Sequence, residues 1–251
     1  MRDLGWALHD DDLGNVYLTA PDHRIRLGYI PEGEDDALWR INAHTDAFAP
    51  TRWAVTFNTA APTEFVTAFT TALASAYTQG PDAYLHGARR PVHTAVEPLL
   101  DQGWTTTPTR TALFDVTAPD GKAGLTYDRR ELDHHREMTT NDTRWYLWGG
   151  TSPNRPDWYA TFSSHTPVHL VTATTTALAD PTPVARYTGE LSRFTRTHAQ
   201  LTPIPPPIPT PLDVRRAQAA RARNTTTRRP SPTVIPSAPP SARTPVGRRS
   251  R

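Results

Sequence analysis

The sequence predicts an α+β body of two similar units followed by a disordered tail. Each unit is a small antiparallel sheet of about four strands with one packed helix, and the two are expected to be pseudo-two-fold related, associating face to face. Three observations carry this prediction. A set of landmarks is written out twice, each copy passes from period-two alternation to a helical apolar stripe, and the composition changes abruptly past His198.

The first copy reads Gly5-Trp6, Thr19-Ala20-Pro21-Asp22, Leu27-x-Tyr29, Trp39, Trp53-x-x-Thr56-Phe57, Pro62 and Thr70 to Ala74. The second reads Gly103-Trp104, Thr117-Ala118-Pro119-Asp120, Leu125-x-Tyr127, Trp145, Trp158-x-x-Thr161-Phe162, Pro167 and Thr175 to Ala179. The offset is 98 for the early landmarks (6 to 104, 22 to 120, 29 to 127) and 105 for the late ones (53 to 158, 57 to 162, 73 to 178). A drift of seven residues therefore sits in mid-unit, where a loop would absorb it. The implied layout is 1–80 first unit, 81–102 connection and lead-in helix, 103–190 second unit, and 191–251 Pro/Arg-rich tail.

The elements follow in order. Val16-Tyr17-Leu18 leads into Ala20-Pro21-Asp22-His23, where Pro presets the dihedral of a type I turn and Asp bonds its own backbone. Beyond it Ile25, Leu27 and Tyr29 share one strand face, as do Ala123, Leu125 and Tyr127 after Pro119-Asp120-Gly121. Trp39 and Ile41 alternate inward, matched by Trp145 and Leu147; Trp53, Val55 and Phe57 are matched by Trp158, Ala160 and Phe162. Pro62 and Pro167 are expected at the first helical position, with Thr166 as a cap in the second copy.

The helix from about Pro62 to Tyr77 places Phe65, Phe69, Leu73 and Ala76 on one stripe, beside Val66. Its counterpart carries Leu170, Thr174 and Leu178, and the run Thr174-Thr175-Thr176 predicts a shorter or looser helix. Thr78 to Pro91 reads as a connection, and Val92, Val96, Leu99 and Leu100 as a short lead-in helix. Met1 to Leu4 aligns with the end of that helix, so either the first copy lacks it or the protein's start lies upstream. From Gln200 onward come ten arginines and one acid, Asp213, in a Pro, Ser and Thr background too poor in apolar residues to offset the entropy of ordering.

These landmarks resemble the SPDY domain family, an actinobacterial domain of unknown function, number 317, that commonly occurs as tandem copies. Two such domains would cover about residues 4 to 182. Pro21, Asp22, Tyr29, Pro119, Asp120 and Tyr127 match the family's pattern, whereas Ala20 and Ala118 stand where the Ser of its name would be. The resemblance implies a fold motif (Trp6, Pro21, Asp22, Tyr29, Trp53, Trp104, Pro119, Asp120, Tyr127, Trp158) and no established activity, cofactor or partner.

Composition narrows the function classes. The tail carries +9, which leaves seventeen basic and twenty-four acidic side chains, −7, on the first 199 residues. No Cys is present, so thiolate chemistry and disulfides are excluded, and the body is expected to be cytoplasmic. No stretch of 18 apolar residues occurs, so no membrane association is expected.

Six of the seven Trp pair across the copies, Trp148 alone being unpaired, and their alternation with apolar neighbours reads as core; a base-stacking platform helped by Arg40, Arg52 and Arg144 is the competing reading. Glu131-Leu132-Asp133-His134-His135-Arg136-Glu137 is the densest group of potential metal ligands, but it reads as a solvated hairpin loop and no metal or other cofactor is expected. His165 and His169 flank Pro167 and make no metalloprotease motif, and no catalytic residue stands out.

Three classes remain. The preferred one is a non-enzymatic intracellular binding or adaptor protein with an unknown protein partner. The alternative is a DNA- or RNA-associated protein using tail arginines Arg215, Arg216, Arg221, Arg223, Arg228, Arg229, Arg248 and Arg249. Third is an enzyme with a site in the cleft between the copies.

Overall fold

The computed structural model describes residues 1–33, 36–88, 90–107, 112–140, 142–187, 189, 191–204 and 215. The chain divides into two units, Met1–Ala199 and Gln200–Arg251. In the second, Arg215 is exposed; Arg216, Arg221, Arg223, Arg228, Arg229, Arg248 and Arg249 lie outside the described residues. No helix among the described residues is long and apolar enough to cross a membrane.

The first half contributes strands β1 (Ala7–Asp10), β2 (Val16–Thr19), β3 (Ile25–Tyr29), β4 (Trp39–His44) and β5 (Thr51–Phe57). The second contributes β6 (Thr105–Thr107), β7 (Leu113–Thr117), β8 (Ala123–Asp128), β9 (Trp145–Ser152) and β10 (Arg155–Phe162). They form one ten-stranded sheet of antiparallel pairs in the order β1-β2-β3-β4-β5-β10-β9-β8-β7-β6. Two expectations are corrected here. The halves join edge to edge through β5 and β10 rather than face to face, and each has five strands rather than about four. β1 and β6 escape sequence reading because every residue in them is exposed, so they carry no apolar alternation.

One layer of helices covers one face. α1 (Thr63–Gln79) buries Phe65, Val66, Phe69, Leu73 and Ala76, the expected stripe. Phe69 meets Trp53, Phe57 and Phe162 at ring-centroid distances of 6.2, 6.0 and 5.8 Å, so α1 rests on strands of both halves. α5 (Val168–Ala179) is shorter, 12 residues against 17, as its threonines predict. Pro62 and Pro167 sit one residue outside their helices, at ψ 130° and 129°, rather than at the first helical position. Their carbonyls accept from the amides of Phe65 and Leu170 at 3.0 and 2.9 Å. Thr166 therefore precedes the boundary and makes no cap.

Four segments depart further from expectation. Within Thr78–Pro91 lies α2 (Pro81–Leu85), whose Tyr84 is fully buried. The lead-in segment is a 3-10 turn over Val92–Ala95 followed by α3 (Glu97–Asp101), with Leu99 buried but Leu100 exposed. The 131–137 stretch is not a solvated loop, because Asp133 Oδ1 accepts from the Arg136 amide at 2.8 Å and starts α4 (His134–Thr139), which buries Glu137. Residues 193–198, placed above in the 191–251 tail, form α6 (Arg193–His198), capped by Ser192 Oγ, which also donates to Asp157 Oδ2 at 2.6 Å.

Tyr84 explains an asymmetry between the copies. Its hydroxyl donates to Asp22 Oδ2 at 2.9 Å, and its carbonyl accepts from Trp53 Nε1 at 2.9 Å. Burial first, and then Asp22, push its hydroxyl pKa up to about 12. In the second half Asp120 Oδ1 accepts the Lys122 amide at 2.9 Å, and the Trp158 indole folds over Gly149, where a Cβ would stand 2.2 Å from Nε1. Replacing Tyr84→Phe should lower unfolding stability by about 1–2 kcal/mol in urea titration, since Asp22 Oδ2 loses its donor. A change below about 0.3 kcal/mol would show that the bond contributes little.

Candidate functional site

The chemistry begins where β5 meets β10. The register pairs Phe57 with Ala160, Thr56 with Thr161 and Val55 with Phe162, which are equivalent repeat positions in reciprocal order. Thr56 Oγ1 and Thr161 Oγ1 lie 2.5 Å apart. At one end the Tyr159 amide donates to Asn58 Oδ1, and at the other the Ala54 amide donates to Ser163 Oγ, both at 3.0 Å. Asn58 and Ser163 are themselves repeat equivalents and do the same work, tying the last strand residues across the seam.

The helix-covered face carries the odd-numbered residues of β5, and the even-numbered Ala54 and Thr56 face away. On that uncovered side a groove of about 660 Å³ runs over the seam, floored by Asn42, Thr56, Thr161, Tyr146 and Tyr159. Its walls come from the loops that hold the seven-residue drift. From the first half Asp36 reaches β10, accepting the Tyr159 hydroxyl at 2.5 Å on Oδ1. From the second, α4 reaches β5, where His134 Nε2 donates to the Thr51 carbonyl at 2.8 Å. Nε2 faces a carbonyl and so carries the ring hydrogen.

Glu137 on α4 is the buried acid of this groove. Its Oε1 accepts from the Ser164 amide at 2.8 Å and the Ser164 hydroxyl at 2.9 Å, while Oε2 is buried with no partner. Arg144 is tied down, donating to Ser164 Oγ and to the carbonyls of Asp128 and Arg130, and its guanidinium lies 5.6 Å from the Tyr127 ring centre. Arg136 pairs with Asp142 at 3.1 Å. The Tyr146 and Tyr159 rings stand 6.0 Å apart at 34°. Burial, and then Asp36, push the Tyr146 hydroxyl above its ordinary pKa. A second cavity of about 440 Å³, between the 92–100 segment and β7–β8, is apolar apart from His93 and Arg129 at its lining.

The motif tryptophans lie in or against the core. Trp6, Trp53 and Trp145 are buried in the core, and Trp39, Trp104 and Trp158 pack against it. Tyr29 meets Trp39 at 4.9 Å and Tyr127 meets Trp145 at 4.5 Å. Pro21 and Pro119 stand exposed in the two turns. The unpaired Trp148 behaves differently: it lies on the uncovered side, over Gly124, where a Cβ would stand 2.6 Å from its ring. Among the described residues no group of three or more His, Cys, Asp or Glu converges as a metal site.

The model of the SPDY family, described as Domain of unknown function (DUF317), matches residues 19–78 and 117–184, just over half of the 251 residues. The chain belongs to the SPDY family. No curated protein and no solved structure matches it. The two matched SPDY segments run from the ends of β2 and β7 through the seam strands to α1 and past α5, so each contributes one side of the groove. Sequence reasoning passed over Tyr146, Tyr159 and Asn42 because polar or tyrosine residues at alternate strand positions look like an ordinary solvent face. The odd Trp148 and the mid-unit drift were the available signals.

A titration accompanies α5. Burial, and then the charge of Arg90, depress the pKa of His169 in the folded SPDY body below its unfolded value of about 6.5. The unfolded chain thus binds more protons as pH falls through that value, so stability is lost on acidification below about pH 6.5. The urea midpoint should fall over this range in the parent chain and fall less steeply in His169→Gln; equal slopes would refute the assignment.

Proposed function

We propose that this SPDY protein is a non-enzymatic binding or adaptor protein that holds another macromolecule in the groove over the β5–β10 seam. One observation carries the reading: outside the seam pair Thr56 and Thr161, the strands of the two halves agree on the helix-covered face and diverge on the open one. Arg26 and Asn42 are register partners in the first half, while their counterparts Gly124 and Trp148 are partners in the second; Arg40 likewise answers Tyr146. Duplication that preserved the scaffold and altered one face suits a surface adapted to a ligand. The same reading relates the halves by an approximate two-fold axis through Thr56 and Thr161, supported by the reciprocal register. Absence of Cys suits a reducing cytoplasm as its place of work.

A photoactivatable amino acid placed at Asn42 or Thr161 in the full chain should give covalent adducts in cells of the source organism, and the same group at the exposed Thr67 on α1 should give none. Equal labelling from both faces, or none from the groove, would overturn the reading.

The tail supports a second activity. Ten arginines against one acid would release counterions from a polyanion, giving nucleic-acid binding that weakens steeply with salt. Deleting residues 200–251 should abolish salt-dependent binding to DNA or RNA in filter assays. Unchanged binding after deletion would refute it.

A further inference from the structure

Resting on the groove reading above, we propose that the groove takes an extended peptide segment bearing a guanidinium or ammonium side chain, with Glu137 as its counter-charge. Glu137 is 8% exposed, and it lines the groove. One carboxylate oxygen is fully engaged by Ser164; the other is buried without a partner. An acceptor left unsatisfied in a buried position costs stability, and a charged one costs more, so the position favours a ligand that brings a donor with a positive charge. A guanidinium or ammonium meets both requirements.

The surroundings point the same way. Tyr146 and Tyr159 line the same groove with two tilted rings, the kind of face that attracts a cation once water is excluded. Of the other ionisable lining groups, Asp142 is held by Arg136, Asp36 accepts from Tyr159, and Arg40 is engaged within the chain. Glu137 Oε2 is thus the buried oxygen of a lining carboxylate that is left without a donor.

The floor argues for a peptide rather than a small free cation. Four adjacent strands, β4-β5-β10-β9, span it. At about 4.8 Å per strand they make a floor roughly 14 Å across, room for about four residues of extended chain at about 3.3 Å each. Asn42, Thr56 and Thr161 stand along that floor as hydrogen-bonding partners for a backbone.

The test uses the full chain and a fluorescein-labelled peptide, Gly-Arg-Gly-Arg-Gly, beside the same peptide with citrulline, the neutral isostere of Arg, at both positions. Fluorescence anisotropy should show the Arg peptide binding about ten-fold or more tighter. Glu137→Gln, whose amide oxygen still accepts from Ser164, should reduce that preference to about two-fold or less while leaving the thermal midpoint near that of the parent. Tyr146→Leu should weaken the Arg peptide and leave the citrulline peptide unchanged. Spermidine in excess should compete poorly.

Equal binding of the two peptides, no binding of either, or an intact preference in Glu137→Gln would overturn the proposal; full competition by spermidine would replace the peptide with a free polyamine. Groove crosslinks at Asn42 and Thr161 that persist when the peptides fail would sink the ligand class alone. Their absence would sink the groove itself.

Discussion

The pairing of β5 with β10 is the constraint on which the rest of this SPDY body depends. Each half ends its meander on a strand with an apolar face and a free edge, and a free edge of that kind is a template for unwanted pairing. The two edges satisfy one another in a register centred on Thr56 and Thr161. Asn58 and Ser163 then close the ends of the ladder with side-chain oxygens. The result is one continuous sheet in which neither half has a core of its own boundary: Phe57 and Phe162, one from each half, touch at 5.9 Å beneath α1.

From that pairing come two unlike faces. On one, Phe69 of α1 packs on aromatic residues of both halves, so the helix layer rigidifies the seam from behind. On the other, the chain raises two walls from the loops that precede β4 and β9. Each wall crosses to the opposite half, Asp36 to Tyr159 and His134 to Thr51. The groove is therefore a property of the joined sheet, and a single copy would have neither its full floor nor both walls.

Much of the scaffold was legible because it obeys local rules. The stripe Phe65, Phe69, Leu73 and Ala76 announces α1, the alternation Trp53, Val55, Phe57 announces β5, and Pro-Asp marks both turns. The strands β1 and β6 were illegible since exposed edge strands need no apolar pattern. α4 was hidden in a charged run whose cap, Asp133, looked like one more potential ligand. Glu137 could not be told from its exposed neighbour Glu131, because burial of a carboxylate depends on Ser164, 27 residues away.

The sequence by itself determined the duplication, the identity of the core-facing residues and the sharp change to an Arg-rich tail, since each is written in composition or in periods of two and 3.6. Only the tertiary structure decided how the copies meet. Edge pairing through threonines and face-to-face packing are equally compatible with the same alternation, because hydrogen-bonding strand edges leave no mark in side-chain pattern. That choice placed Tyr146, Tyr159 and Glu137 around one groove, although they are separated along the chain by loops and strands whose residue types give no hint of their meeting.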